Sequence, residues 1–397
     1  MITRDKNQFI EQPMERVLTG VLSEFTRTLP RLERLQRYFS GRHDVLARSR
    51  AEGLPNTRLP HGFPRYIAQV GASFLLSEPV RYQDADHEEA VQALETLYAA
   101  AGADQADMEL AMQQAVFGRA VSLNYHGEQG QPRIAALDPR SAFVVYDDTV
   151  EHRPLMGLML SNSGIGGAGK LREGSLSVYT DSGCTSYALS ANSQITGPRM
   201  SSAHQFSRVP MVEYLNEAEA HGDFEDVLPL IDAYDLLSSD RLNDRAQFAD
   251  ALLVLTGVMG LGTAENPYDH RTGIQRLRQE KTLTLPDSDA SAKWLVKDPM
   301  EGDIDVLRQA LSGDIHKFSM TPDFGDERFA GNVSGIAIKY KLFCLEQRIR
   351  LKERWFMSGL RERARVMAGY MRSAGMPELD PERLTICFTH KIPEEDN

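Results

Sequence analysis

Cysteine is scarce. Cys184, Cys344 and Cys387 are the only three in 397 residues, odd in number, far apart and without CxxC spacing. That pattern excludes a disulfide framework and a thiolate zinc site, and it fits reduced thiols in a cytoplasm. Long apolar runs are missing too. No stretch reaches the roughly 18 apolar residues needed to span a bilayer as a helix. The leading Met1-Ile-Thr-Arg-Asp-Lys-Asn-Gln8 lacks the apolar centre of a signal peptide, so membrane insertion and export are not expected. Positive charge is in deficit, with a formal net charge of −12. This disfavours a sequence-reading duplex binder, whose affinity comes from cations displacing phosphate counterions.

Catalytic signatures are equally sparse. The histidines form no HExxH, and neither GxSxG nor a P-loop lysine occurs. The chain reads as a non-enzyme without cofactor, metal or small-molecule substrate. Gly164-Ile-Gly-Gly-Ala-Gly169 satisfies GxGxxG, but a dinucleotide site needs a helix opening at the third glycine. Leu176-Ser-Val-Tyr-Thr180 reads instead as another strand, which makes the glycines a hairpin loop. The pairs Asp84/Asp86, Asp287/Asp289 and Asp303/Asp305 lack the further oxygen ligands of a calcium loop. They read as turns or helix N-termini.

What is present is a chain of 42% hydrophobic content, enough to bury a substantial core and to divide into two or more units. Basic helical patterning runs to about Asp44. Helices follow at Tyr66–Leu76, His87–Ala101 and Asp104–Phe117. Between Gly118 and Asn216 short strands take over at 119–125, 132–137, 142–146, 155–160, 176–180 and 211–215, separated by turn residues as in antiparallel sheets. The fold class is therefore α+β. A long helix is expected from Leu228 to about Gly257; its centre, Ser238-Ser-Asp-Arg-Leu-Asn-Asp-Arg245, contains only Leu242 as an apolar residue. A stretch this polar packs through polar pairs or bridges between domains. A shorter helix spans about Gly302–Lys317, and Leu384–Thr389 closes the chain as a strand.

The most informative segment is Pro322–Glu346, where a loop punctuated by Pro322, Gly325, Gly331 and Gly335 runs into a very long helix. Ile338, Leu342, Leu345, Ile349, Phe356, Leu360, Met367 and Met371 form a one-faced stripe. Ser334 to Ala374 would span roughly 60 Å at the α-helical rise, with Ser358-Gly359 as a kink point. The helix is basic: Lys339, Lys341, Arg348, Arg350, Lys352, Arg354, Arg361, Arg363, Arg365 and Arg372 outnumber Glu346, Glu353 and Glu362. Three readings stand beside each other: a solvated face, pairing with the acidic surface of a neighbouring subunit, and third a grip on DNA, which requires the apolar side of the stripe to be buried first.

Taken together with Tyr38-Phe-Ser-Gly-Arg-His-Asp44, Leu137–Asp147, Pro210–Asn216, Gly222-Asp-Phe-Glu225 and Leu230-Ile-Asp-Ala-Tyr234, this segment resembles the portal proteins of tailed bacteriophages. The resemblance covers nearly the whole chain and implies a set of parts. Residues 1–227 would be the wing, 228–257 the first stem helix, 258–299 the clip and 300–318 the second stem helix. Residues 319–333 would be the tunnel loop, 334–374 the long kinked helix and 375–397 a wing-closing strand. Larger relatives continue past a motif like Lys391–Asn397 into a helical crown, which here is expected to be absent or truncated.

The resemblance places Thr321, Asp323, Phe324, Asp326, Glu327, Arg328, Phe329 and Asn332 in the loop facing the channel. It places Ser238, Asp240, Asn243, Asp244 and Arg245 on the stem, and Trp294 and Tyr268 at the clip interface. It further implies a dodecameric ring at one capsid vertex of the virion, assembled in the host cytoplasm. Its implied partners are double-stranded DNA bound without sequence preference, the terminase large subunit, scaffolding and major capsid proteins, and a head-completion adaptor. Net negative charge suits such a conduit, because a lining that repels the polyanion lowers the barriers to sliding. The alternatives from other classes are a cytoplasmic helical scaffold or adaptor, and an α+β enzyme with its chemistry between Gly118 and Asn216.

Overall fold

Val17, Leu18, Val21, Leu22, Phe25, Leu29 and Leu32 recur at helical intervals and all are buried, so one face of their helix must meet a core. In the computed structural model that helix is α2 (Met14–Phe39), preceded by a short strand β1 (Ile2–Arg4) and the single turn α1 (Gln8–Glu11). The structure describes residues 1–52, 54–161, 165–166, 170–171, 173–190, 194–248, 252–256, 291–295, 301–325 and 335–390. They divide into two compact units. One comprises Met1–His43, His61–Ile231 and Gly313–Asn397; the other comprises Asp44–Pro60 and Asp232–Ser312.

In the first unit α2 is followed by α3 (Phe63–Leu75), β2 (Arg81–Gln83), α4 (Glu88–Ala101) and α5 (Ala103–Phe117). The strand region holds β3 (Arg119–His126), β4 (Pro132–Leu137), β5 (Ala142–Asp147) and β6 (Pro154–Ser161). It continues with β7 (Ile165–Gly166), β8 (Lys170–Leu171), β9 (Gly174–Tyr179), β10 (Gly183–Leu189), β11 (Ile195–Ala203) and β12 (Met211–Leu215). Beyond these lie α6 (Leu228–Phe248), β13 (Leu252–Thr256), β14 (Ser291–Leu295), α7 (Glu301–Phe318), α8 (Gly335–Ser373) and β15 (Thr385–Cys387). Helices and sheets are segregated along the chain as an α+β fold requires.

A six-stranded sheet has the order β1-β5-β6-β9-β10-β11, antiparallel except for the parallel β1–β5 pair. The buried face of α2 covers it, with Phe25 stacked on Phe143 at 4.1 Å between ring centroids. A second sheet, β12-β3-β4, shares a core with α3, α4, α5 and α8. Within α8 the stripe Leu342, Leu345, Ile349, Phe356, Leu360, Met367 and Met371 is buried as its spacing demands; the side chain of Ile338 lies outside the described residues. The helix is continuous through Ser358-Gly359. Gly359 permits close approach of β12, since a Cβ there would lie 2.3 Å from Cδ1 of Tyr214.

One expectation holds and two change. Within the GxGxxG segment Ile165–Gly166 is strand β7, and it pairs antiparallel with β8 just after the motif, Ile165 opposite Leu171, in agreement with the strand argument and against a dinucleotide turn. β10 and β11 were not anticipated. Their Ser- and Thr-rich sequences carry too few apolar residues to show a period-two pattern. The helix expected to reach Gly257 ends at Phe248, and Leu252–Thr256 pairs antiparallel with Ser291–Leu295. An apolar run such as Leu-Leu-Val-Leu satisfies both periodicities, and a distant partner strand decides between them.

Candidate functional site

The root of the Pro322–Gly325 loop is fixed by Tyr66 and Arg348, from two other helices, and by His316 of the helix that leads into it. α7 ends at Phe318, and the chain turns through Ser319 and Thr321, both buried. The Tyr66 hydroxyl on α3 donates to the Pro322 carbonyl at 2.6 Å and accepts from the Phe324 amide at 3.2 Å. Burial, together with nearby Asp323, keeps the Tyr66 phenol above its ordinary pKa despite the opposing Phe324 contact, so it stays a neutral donor. His316 packs edge-on against Phe63 and Tyr66, and its Nδ1 donates to the Thr321 carbonyl at 3.0 Å. Its Nε2 lies 3.7 Å from Asp323 Oδ2, while Asp323 Oδ1 accepts the Gly325 amide at 2.9 Å.

Arg348 on α8 completes the root. Its Nη1 donates to the Ser319 carbonyl at 2.5 Å and to Thr321 Oγ1 at 3.0 Å, and its Nη2 sits 2.7 Å from Asp223 Oδ1. Lys352, one turn on, donates to Asp223 Oδ2 at 2.7 Å. Both ends of this cluster are out of water, with side-chain exposures of 0% for Asp223, 3% for Lys352 and 13% for Arg348. The Asn216 amide and the Asp223 backbone link to Ala115 complete the cage. α3 closes it at Gly71, where a Cβ would lie 2.4 Å from Asp223 Oδ2.

Burial opposes charge on Asp223, but Arg348 and Lys352 outweigh it and hold the carboxyl below its ordinary range. Burial pulls the Lys352 ammonium down; Asp223 offsets this only in part, and Arg348 adds repulsion. A buried cluster of this kind is rigid because removing any member strands the others.

In the second unit, the polar centre of α6 is held by the Asp44–Pro60 segment. Asn243, fully buried, accepts the Thr57 amide at 2.6 Å and donates to the Thr57 carbonyl at 3.0 Å. Ser239 accepts the Leu59 amide at 3.0 Å and donates to Asp235 O at 2.6 Å. Asp240 pairs with both Arg48, at 2.6 Å, and Arg50. Arg241 pairs with Asp305 and holds that carboxyl below its ordinary range.

The family model described as "Phage portal protein, SPP1 Gp6-like" matches residues 20–397. The chain belongs to the phage portal protein family. The portal protein of Bacillus phage SPP1 is 23% identical over 193 residues, a match spanning 48% of this chain and 37% of that relative. Solved structures with similarity include the neck of an empty GTA particle computed with C6 symmetry, at 12% identity over 81% of this chain and 91% of that chain, TM-score 0.44. Another is the virion of a native gene transfer agent particle, at 12% identity over 88% of this chain and 94% of that one, TM-score 0.44.

In this portal-family chain, Thr321, Asp323 and Phe324 gather at the loop root. Thr321 is buried, whereas Phe324 is 42% exposed and the Asp323 side chain 48% exposed. Asp326, Glu327, Arg328, Phe329 and Asn332 lie outside the described residues, as does Tyr268. On α6, Asp240 and Asn243 share the contact with residues 48–57; Ser238 and Asp244 are half-buried and Arg245 is exposed. Trp294 lies on β14 opposite Leu253. Of the aspartate pairs, Asp84 caps the turn before α4, accepting the Asp86 amide at 3.0 Å, and Asp305 is taken by Arg241.

Sequence reasoning missed the Asp223 cluster and the burial of the α8 cations. Arg363 is fully buried, its Nη2 2.9 Å from Asp107 Oδ2 and 3.2 Å from the Tyr82 hydroxyl. Arg365 pairs with Glu362 and Glu382, and Arg372 with Glu378. Much of the basic run therefore serves the chain's own fold. The one signal was position: Lys352 and Arg363 fall on the apolar stripe at helical spacing from Ile349, Phe356 and Leu360.

Proposed function

We propose that this chain is the subunit of a portal ring at a single capsid vertex. The ring nucleates prohead assembly in the host cytoplasm, docks the terminase, and conducts double-stranded DNA during packaging and ejection. It contacts scaffolding, major capsid and head-completion proteins, while ATP hydrolysis resides in the terminase. The observation that carries this reading is family membership extending over residues 20–397.

Within that reading, residues 1–227 and 375–397 form the wing, with α6 and α7 as stem helices and residues 258–299 as the clip bearing Trp294 and Tyr268. Residues 319–333 form the tunnel loop. The anchored root supports this last assignment: Tyr66, His316 and Arg348 hold Ser319–Phe324 firmly enough to present the remainder of the loop to a moving polyanion. Asp323, Asp326 and Glu327 would repel phosphates and keep the duplex sliding.

Negative-stain electron microscopy of the full-length protein, with native mass for subunit number, tests the ring. Closed rings, twelve-membered by family resemblance, are expected, with a channel wide enough for duplex; uniform small particles across salt and concentration would overturn the reading. Shortening the loop between Gly325 and Val333 while keeping its root is expected to leave rings intact and impair DNA packaging or retention. Normal encapsidation by that variant removes the tunnel assignment.

A further inference from the structure

The face of α8 opposite its buried stripe carries large apolar side chains among its polar ones. Tyr340 is 79% exposed, Phe343 55%, Leu351 59% and Trp355 37%, and their spacing sets them along one side of the helix. Arg350 and Arg354 are exposed beside them; Arg350 pairs with Glu346 one turn back on the same helix at 2.5 Å, and Arg354 has no ion pair among the described residues. Scattered exposed apolar residues are ordinary. A helical stripe of aromatic and aliphatic side chains edged by arginine instead has the composition of a protein–protein interface core.

The same unit carries a surface of opposite sign. No Lys or Arg occurs between Arg81 and Arg119. On α4 and α5, Glu88, Glu89, Glu95, Asp104 and Glu109 are exposed, and none has an ion pair among the described residues. Glu88, Glu89 and Asp104 sit in first helical turns, where the helix dipole accounts for them. Glu95 and Glu109 do not, and Met108 is 42% exposed next to Glu109.

We propose that the exposed face of α8 on one copy of this chain docks against the α4–α5 face of a second copy. The aromatic stripe is buried there, and Arg350 and Arg354 meet Glu95 and Glu109. The inference rests on the ring reading above, and it names the two surfaces. A closed cyclic ring requires each chain to present two different, mutually complementary faces. Opposite charge on these two favours that head-to-tail pairing and disfavours α8 against α8 or α4–α5 against itself.

The test uses two full-length variants, Arg350→Glu with Arg354→Glu, and Glu95→Lys with Glu109→Lys, each checked by circular-dichroism melting. Assembly is read by native mass and electron microscopy. Each variant alone places like charges across every interface, so the concentration needed for rings is expected to rise roughly tenfold or more. Mixed in equal amounts, the two regain opposite charges at every contact and are expected to form alternating rings. Leu351→Gln, which changes no charge, is expected to weaken assembly without rescue by either variant. If wild type forms rings and both charge variants assemble as well as it does, the named surfaces are wrong while the ring reading stands. Failure of the mixture to recover assembly likewise overturns the surface assignment. Absence of rings from wild type itself overturns both readings.

Discussion

Arg348 and Asp223 meet at 2.7 Å inside the first unit, and through this contact the long helix α8 holds the loop that precedes it. One guanidinium spans three partners: the Asp223 carboxylate, the Ser319 carbonyl and the Thr321 hydroxyl. The loop root is thereby tied to the segment between β12 and α6 and not only to its own chain neighbours.

Asp223→Asn removes the anion that Arg348 and Lys352 share. Two cations are then left in a buried site with one neutral amide between them. A loss of about 3–5 kcal/mol of stability is expected, the range for breaking a buried ion pair from one side. Equilibrium urea unfolding measures it; a loss within the error of wild type would show that the cluster relaxes into water.

Acid should act through the same carboxylate. Because the Asp223 pKa is lowered in the folded protein, its stabilising contribution is complete above the unfolded-state value of about 4. It is lost as pH falls through the lowered folded value. The Asp223→Asn variant should therefore show a shallower acid limb than wild type in melting temperature against pH. Parallel limbs would assign the acid sensitivity elsewhere.

His390 should give the opposite slope. Its Nε2 contacts Glu353 and its Nδ1 lies 2.8 Å from the Phe74 carbonyl. The hydrogen bond to Glu353 raises its pKa above 6.5, with burial opposing. Stability from this contact is fully present below about pH 6.5 and is lost as pH rises through the raised value. An NMR titration of the imidazole is expected to show the upward shift in wild type and its disappearance in Glu353→Gln.

Tyr66→Phe deletes one hydroxyl that serves both Pro322 and Phe324. Global stability should fall by about 1–3 kcal/mol at most, the cost of leaving polar groups unpaired. Hydrogen exchange at the Phe324 amide should accelerate out of proportion to that change. Uniform acceleration across the unit would mean that the hydroxyl does not locally hold the loop.

Asn243→Ala strands both backbone groups of Thr57. In the second unit this should free the Asp44–Pro60 segment from α6, costing about 1–3 kcal/mol. Limited proteolysis is the direct readout, with new cleavage expected near Thr57; an unchanged digest would show that Asp240 and Ser239 suffice.

Most elements were legible because they are local. Apolar spacing set α8 between Gly335 and Ser373, and turn residues bracketed β3, β4 and β12 where strands were expected. The order of blocks also carried the family, since it reflects the succession of parts along the chain. The loop root was legible only as a loop, because punctuation by Pro322 and Gly325 says where regular structure stops and nothing about what grips the ends.

Tertiary structure decided the rest, for reasons of partnership. Leu252–Thr256 became a strand because Ser291–Leu295 supplied its ladder. Lys352 and Arg363 became buried because Asp223 and Asp107, far away in the chain, came within reach. Periodicity reports which face of an element is buried, whereas the charge that a buried cation requires can come from any distance along the sequence. The sequence by itself thus determined most of the elements and the family of this protein; folding decided the strands that depend on a distant partner, and which of its charges hold the chain together and which remain on the surface.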